Sequence, residues 1–324
     1  MTPEIALLLA QDGISTGAIY VLVALGIVLI FLVTRVIFVP FGDVVGYSDG
    51  LVRRGQIRGL PKALLLYAVL PTIPAALVWL VAGRDLPMWV GIALTLAIVM
   101  PISPLLYRIA FSPLADASVL VLLIIAVAVH FAMSGLALLY FGPEGFRSEP
   151  ITRALFELGP VTISGQSILI LASSVIFSLL LFLFFERTLT GKALRATAVN
   201  RVGARLVGIL PSTTGAIAFL LASVLAGICG ILIGPVTTLY YDSGFLIGLK
   251  AFIGAIIGGL ISYPAAAAGA IFVGLLESYA AFWDSALKEV FVFSTLIPIL
   301  IGQSFTSAAA IEEEIEEEER EGTA

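Results

Sequence analysis

The sequence predicts an all-α, polytopic transmembrane bundle of eight or nine spans, with one or two broken or re-entrant helices near the midplane. Three observations carry this. Sixty per cent of the 324 residues are apolar and only 12% are charged, about half the charged share of a soluble domain. Charge-free windows run over 14–34, 63–83, 86–107, 117–143, 158–185, 206–241, 251–276 and 290–311, each longer than the roughly 20 residues a helix needs to cross about 30 Å of hydrocarbon. The windows are apolar throughout rather than alternating, which excludes a transmembrane β-barrel.

Taken in order, the first 13 residues hold Glu4 and Asp12 but no Lys or Arg. They lack the basic start of a signal peptide, so the first helix is expected to stay as an uncleaved span. The stretch 39–51, VPFGDVVGYSDGL, is too polar to face lipid and too apolar for a free loop. The window 206–241 is too long for one crossing and carries Gly227, Gly230, Gly234 and Pro235; it reads as a helix over about 212–233 and then a break. The next apolar piece, about 245–262, is short and holds Gly248, Gly254, Gly258 and Gly259, which fits a discontinuous helix lining a cavity.

The basic side chains set the orientation. Segment 186–205 has Arg187, Lys192, Arg195, Arg201 and Arg205 against Glu186, whereas 144–157 is net negative. This places 35–62, 108–116 and 186–211 in the cytoplasm and the N-terminus outside. Thr-Gly-Ala-Ile occurs at 16–19 and again at 214–217, with Asp43 and Asp242 following at similar spacing, as two related halves around one path would have it. The last residues, IEEEIEEEEREGTA, hold eight of the 22 acids and are too charged to pack, so 312–324 reads as a disordered acidic tail after a transmembrane body over 1–311. Outside that tail acids and bases nearly balance, and no basic excess points to nucleic acid. One Cys and one His exclude a disulfide framework and a zinc cluster. They also leave almost nothing from which to assemble an embedded enzyme.

The most informative stretch is 190–210, TGKALRATAVNRVGARLVGIL. Ala193, Ala196, Val199, Val202 and Leu206 recur at helical spacing, so an amphipathic helix over about 193–207 is expected in a cytoplasmic loop. A basic helix on anionic headgroups is the plain alternative. Its small residues, Ala193, Ala196, Ala198, Gly203 and Ala204, instead suit close docking in a protein groove.

This stretch resembles the coupling segment of the branched-chain amino acid ABC-transporter permeases of LivH type. GLKAFIGAIIGGLISYPAAAAGAIFVGLLE (248–277) and YRIAFSPL (107–114) look like further segments of that family. After the first span the family pattern Asn-Phe-Ala-His-Gly is replaced by Val-Pro-Phe-Gly-Asp (39–43). The resemblance implies a permease subunit importing branched-chain amino acids or a similar small polar solute, urea or an amide among them. It implies a LivM-like second permease subunit, two ATPase subunits carrying the ATP and Mg, and an extracytoplasmic solute-binding protein, in a bacterial or archaeal inner membrane. No phosphate loop occurs here, because Gly191-Lys192 has Glu186 where the first glycine would stand. The chain itself is then expected to be no enzyme and to hold no cofactor or metal. The alternative is an ATP-independent secondary transporter or channel.

The resemblance assigns ATPase coupling to Gly191, Lys192, Arg195, Asn200, Arg201, Arg205 and Gly208. It assigns the translocation path to Gly42, Asp43, Tyr47, Lys250, Gly254, Gly258 and Gly259. Each has a plainer reading. Asp43 is a path carboxylate or a headgroup-level partner of Arg35 or Arg53, and Lys250 is a path residue or a snorkelling helix-end lysine. The glycines line a cavity or pack helices. His130 reads as a cross-helix hydrogen bond rather than a proton relay, Glu277 as a cap or ion-pair partner, and Cys229 as apolar filler.

Overall fold

A computed structural model describes residues 2–45, 87–115, 117–158, 161–260 and 262–304. The expected span 63–83, Tyr47 and the acidic tail lie outside the described residues. Among the described residues six helices are long and apolar enough to cross a membrane, and the structure is predominantly helical.

Helix α1 (Pro3–Thr34) starts on Thr2, whose hydroxyl accepts from Ile5 N, with Pro3 in the first turn; both are favoured at a helix start. It ends at Arg35, which takes a left-handed backbone at φ 59°. Helix α2 (Met88–Val99) reaches Pro101, and α3 (Ile102–Leu106) follows. A π-turn at Tyr107–Phe111 and a 3-10 turn at Ser112–Leu114 complete this span. Helix α4 (Val119–Phe141) is capped by Ser118.

An antiparallel hairpin, β1 (Leu155–Leu158) with β2 (Val161–Ser164), precedes α5 (Gly165–Arg187). The apolar window beginning at 158 therefore opens with a strand, not with helix. Then come α6 (Leu189–Val199), α7 (Arg201–Leu206), α8 (Pro211–Ile233), α9 (Ser243–Ile257), α10 (Tyr263–Trp283) and α11 (Lys288–Ser294), with helix again over 296–304. The window 251–276 is not one span, because Gly259 and Leu260 both adopt positive φ and turn α9 back into α10. With 15 residues, α9 extends about 22 Å, short of a bilayer's hydrocarbon core.

The core is built around α1, buried over most of its length and packed on α5, α8, α9 and α10. Gly13 and Gly17 let α10 approach closely: a Cβ on either would run into the backbone at Leu275 or Ile271. By contrast α4 and α5 turn Leu120, Phe131, Val175 and Leu179 outward, as lipid-facing helices do. Arg201 reaches the carbonyls of Val33 and Ala115, so 33, 115 and 201 share one end of the bundle. Gln11 bonds Thr162 O, and Phe146 bridges Leu239, at the other end. Gln303 donates to Ile256 O, while Tyr263 stacks on Phe185 near the end of α5. The described chain thus finishes at the end that carries α6 and α7.

Candidate functional site

Two clusters of functional side chains stand out, one at an end of the bundle and one inside it. The first is the α6–α7 pair. Thr188 caps α6 by accepting from Gly191 N at 2.9 Å. Gly191 lies so close to the Phe184 carbonyl that a Cβ would collide with it. Leu194 and Thr197 are buried, and the Thr214 and Thr197 hydroxyls, 3.2 Å apart, tie α8 to α6.

The single helix expected over 193–207 is in fact two. Asn200 ends α6 in an extended backbone, and its Oδ1 accepts from Gly203 N at 2.9 Å to start α7. An Asn side chain competes with the helical ladder in this way. Arg201 points inward, donating at 3.1 Å to both Ala115 O and Val33 O. Arg195 pairs with Glu186 at 2.9 Å on the surface. Gly208 turns the chain towards α8 at φ 84°.

Lys192, Arg195, Asn200, Gly203, Ala204 and Val207 contribute to the lining of a shallow open groove, and Arg205 is exposed beside it. The apolar residues that gave the segment its periodicity do not all pack inward. Val199, Val202, Leu206 and Val207 are 81, 67, 83 and 74% exposed. A rigidly anchored element that turns branched side chains outward has the form of a docking surface.

The second cluster lies where the chain re-enters the bundle after α1. Residues 41–45 form a short helical piece. The Phe41 ring rests on Gly26, where any Cβ would clash. Gly42 and Gly244 meet backbone to backbone, each in the space the other's Cβ would need, and Gly248 touches Gly42. The next residue, Asp43, is buried, and its Oδ2 accepts from His130 Nδ1 at 2.7 Å. Phe245 stacks on the imidazole at 4.4 Å and 20°, and Ser134 Oγ stands 3.5 Å from the same nitrogen. Asp43 Oδ1 is buried without a hydrogen-bond partner among the described residues. Asp43 is thus buried in the bundle and paired with His130 rather than with Arg35; Arg53 lies outside the described residues.

Lys250 lies elsewhere. It is 5% exposed and therefore does not snorkel. Its Nζ donates to Glu277 at 2.6 Å and Glu289 at 2.9 Å, with Lys288 3.8 Å from Glu277. The Tyr20 hydroxyl donates to the other Glu277 oxygen. This network joins α1, α9, α10 and α11. Gly254 and Gly258 seat α9 on Ala270 and Ala266 of α10, and Gly259 makes the turn between them at φ 69°.

The structure therefore brings Gly42 and Asp43 together with His130, whereas Lys250, Gly254, Gly258 and Gly259 form the α9–α10 joint. Phe245, Ser134, Gly244 and Glu289 were not singled out from the sequence. The Gly-Asp pair at 42–43 and the Ser-Gly-Phe run at 243–245 hint at a close approach only once the fold has placed them side by side. Among the described residues no group of His, Cys, Asp and Glu could hold a metal ion.

A family model described as branched-chain amino acid transport system / permease component matches residues 9–300. The chain is similar to the high-affinity branched-chain amino acid transport system permease protein BraD of Pseudomonas aeruginosa, with 27% identity over 92% of this chain and 95% of the relative. LivH of Escherichia coli is 23% identical over 90% of this chain and 91% of its own. A probable LivH of Methanocaldococcus jannaschii is 26% identical over 91% and 88%.

Proposed function

Because the chain belongs to the family of branched-chain amino acid transport system permease components, we propose that it is the membrane-spanning permease subunit of an ATP-driven importer. Its place is the cytoplasmic membrane of a bacterium or archaeon, which we read it as crossing eight or nine times. Its solute is a branched-chain amino acid, as the relatives' names state for them; urea or a short amide is the nearest other cargo. A LivM-like second permease, two ATPase subunits holding ATP and Mg, and a solute-binding protein complete the assembly.

One observation supports the coupling part of this reading above the rest: the outward apolar rim of Val199, Val202, Leu206 and Val207 on helices anchored by Leu194, Thr197 and Arg201. A nucleotide-driven subunit gripping that rim moves α6 and α7 as one body. Arg201 and the Thr197–Thr214 contact pass the motion to the C-terminal end of α1 and to α8. Lys192 and Arg195 flank the groove as surface charges that an acidic cleft would favour. The path runs between the short helical piece 41–45 and the first turn of α9, where two helices too short to span meet inside the bundle, as the half-helices of transporters do.

The test is Val202→Asp with Leu206→Asp. Both side chains are more than half exposed, so the variant should insert and pair with its partner permease while losing the co-purifying P-loop ATPase and ATP-driven leucine uptake. Retention of both activities by the variant would remove the coupling role from α6–α7. A wild-type preparation that transports without any ATPase would favour the secondary transporter instead.

A further inference from the structure

We propose that Asp43 and His130 form the intramembrane receiving site for a zwitterion, the His130 ring occupying in the closed conformation the place that the solute's ammonium takes in the open one. This rests on the permease reading and specifies its chemistry. The observation behind it is a mismatch between charge and partners. A carboxylate buried in a membrane bundle is stable only when its oxygens are paired. Asp43 spends Oδ2 on His130 and holds Oδ1 without a partner among the described residues.

The pair stands where movement would open it. Asp43 follows Gly42, which is locked against Gly244, and His130 lies under Phe245 of α9's first turn. Separating 41–45 from α9 parts the Gly42–Gly244 contact and lifts Phe245 from the imidazole. Asp43 stands on 41–45 and His130 on α4, so a movement that carries 41–45 away from α4 as well as from α9 separates the two groups.

An α-amino acid then fits between them, its ammonium donating to Asp43 and its carboxylate accepting from an imidazole N–H. The ammonium compensates the buried carboxylate, and both ends of the solute find a partner. Phe245 and the apolar flanks of α1 and α4 face the side chain. A cation alone or an anion alone would leave one member of the pair buried and unmatched. The site selects by the presence of both charges.

His130 is the sole histidine of the chain, so its ring can be observed alone. The complete transporter, purified through a tag free of histidine and labelled with 15N-histidine in this subunit, is placed in nanodiscs. Imidazole nitrogen signals are followed during addition of L-leucine, of 4-methylvalerate lacking the ammonium, or of isoamylamine lacking the carboxylate. Leucine should move the signal, and each truncated analogue should require about tenfold more or worse, the worth of one charged hydrogen bond. Asp43→Asn should abolish the leucine response, while uptake by the exchanged pair, Asp43→His with His130→Asp, should exceed that of either single replacement. A complex that imports leucine with ATP while its imidazole ignores leucine, or answers all three probes alike, overturns the site and leaves the permease reading intact. A wild-type complex that imports no leucine overturns that reading and the site with it.

Discussion

The end of the bundle and its interior treat polarity in opposite ways. On α6–α7 the apolar side chains Val199, Val202, Leu206 and Val207 face outward, while Arg201 is drawn in to cap the carbonyls of Val33 and Ala115. Around Asp43 the polar groups are hidden, and glycine backbones bring 41–45 against α9. Outward apolar residues invite a partner at the first place. Buried, minimally paired charge resists every arrangement except a matched one at the second. The two regions are joined by α1, which Arg201 touches at one end and Phe41 touches at Gly26; the proposals above give docking to the first and selection to the second.

The largest effect that would break this comparison is at the interior pair. Asp43→Ala leaves His130 without its partner, and loss of one member of a buried pair costs about 3–5 kcal/mol. Replacing both with apolar residues, Asp43→Leu with His130→Leu, should restore most of that stability while leaving transport absent. Unfolding midpoints in detergent for the three proteins check this. Single and double variants of equal stability would show that the pair is not coupled.

Arg201→Ala comes next. It removes charged donors to two backbone carbonyls, at about 1.5–3 kcal/mol for a hydrogen bond of that type. Here the loss should appear both in stability and in ATPase stimulation, because the same contacts fix α7 to α1 and to the turn at Ala115. A surface cation such as Lys192 offers the contrast: Lys192→Ala should leave stability almost untouched and read out in coupling alone. If Arg201→Ala behaves like Lys192→Ala, the anchoring role given to Arg201 is wrong.

Most of the architecture was legible in the sequence, because bilayer thickness sets a long apolar length that few chains imitate by accident. Helix α8, read over about 212–233, runs from Pro211 to Ile233, since Pro211 starts it and the Gly234-Pro235 step stops it. The glycine-rich piece read as a discontinuous helix over about 245–262 is a continuous but short α9, Ser243–Ile257, ended by the turn at Gly259 and Leu260. What stayed hidden depended on tertiary placement. Helical periodicity identifies a stripe on 193–207 but not which way it faces, and one Asn was enough to divide the helix. Lys250 read as a path residue or a snorkelling helix-end lysine, and its buried pairing stayed hidden because Glu277 and Glu289 are distant in sequence. His130 was read as a cross-helix hydrogen bond, and only the fold shows its partner to be Asp43.

The smallest effect is the most discriminating between the two regions. Gly208 and Gly259 adopt φ 84° and 69°, and at both a Cβ would meet open space. Alanine is therefore opposed there by backbone conformation alone, at about 1 kcal/mol for a left-handed residue. The two substitutions should lower the unfolding midpoint equally, since the physical cause is the same. Their functional effects should differ. Gly208→Ala bends the link between α7 and α8, through which the docking surface drives the bundle, so ATPase coupling should fall. Gly259→Ala strains the turn that ends α9, the helix whose Gly244 and Phe245 meet Gly42 and His130, so uptake should fall while nucleotide-dependent coupling persists. Equal losses of coupling from both would mean that docking and selection form one cooperative unit, and the separation drawn above would have to be given up.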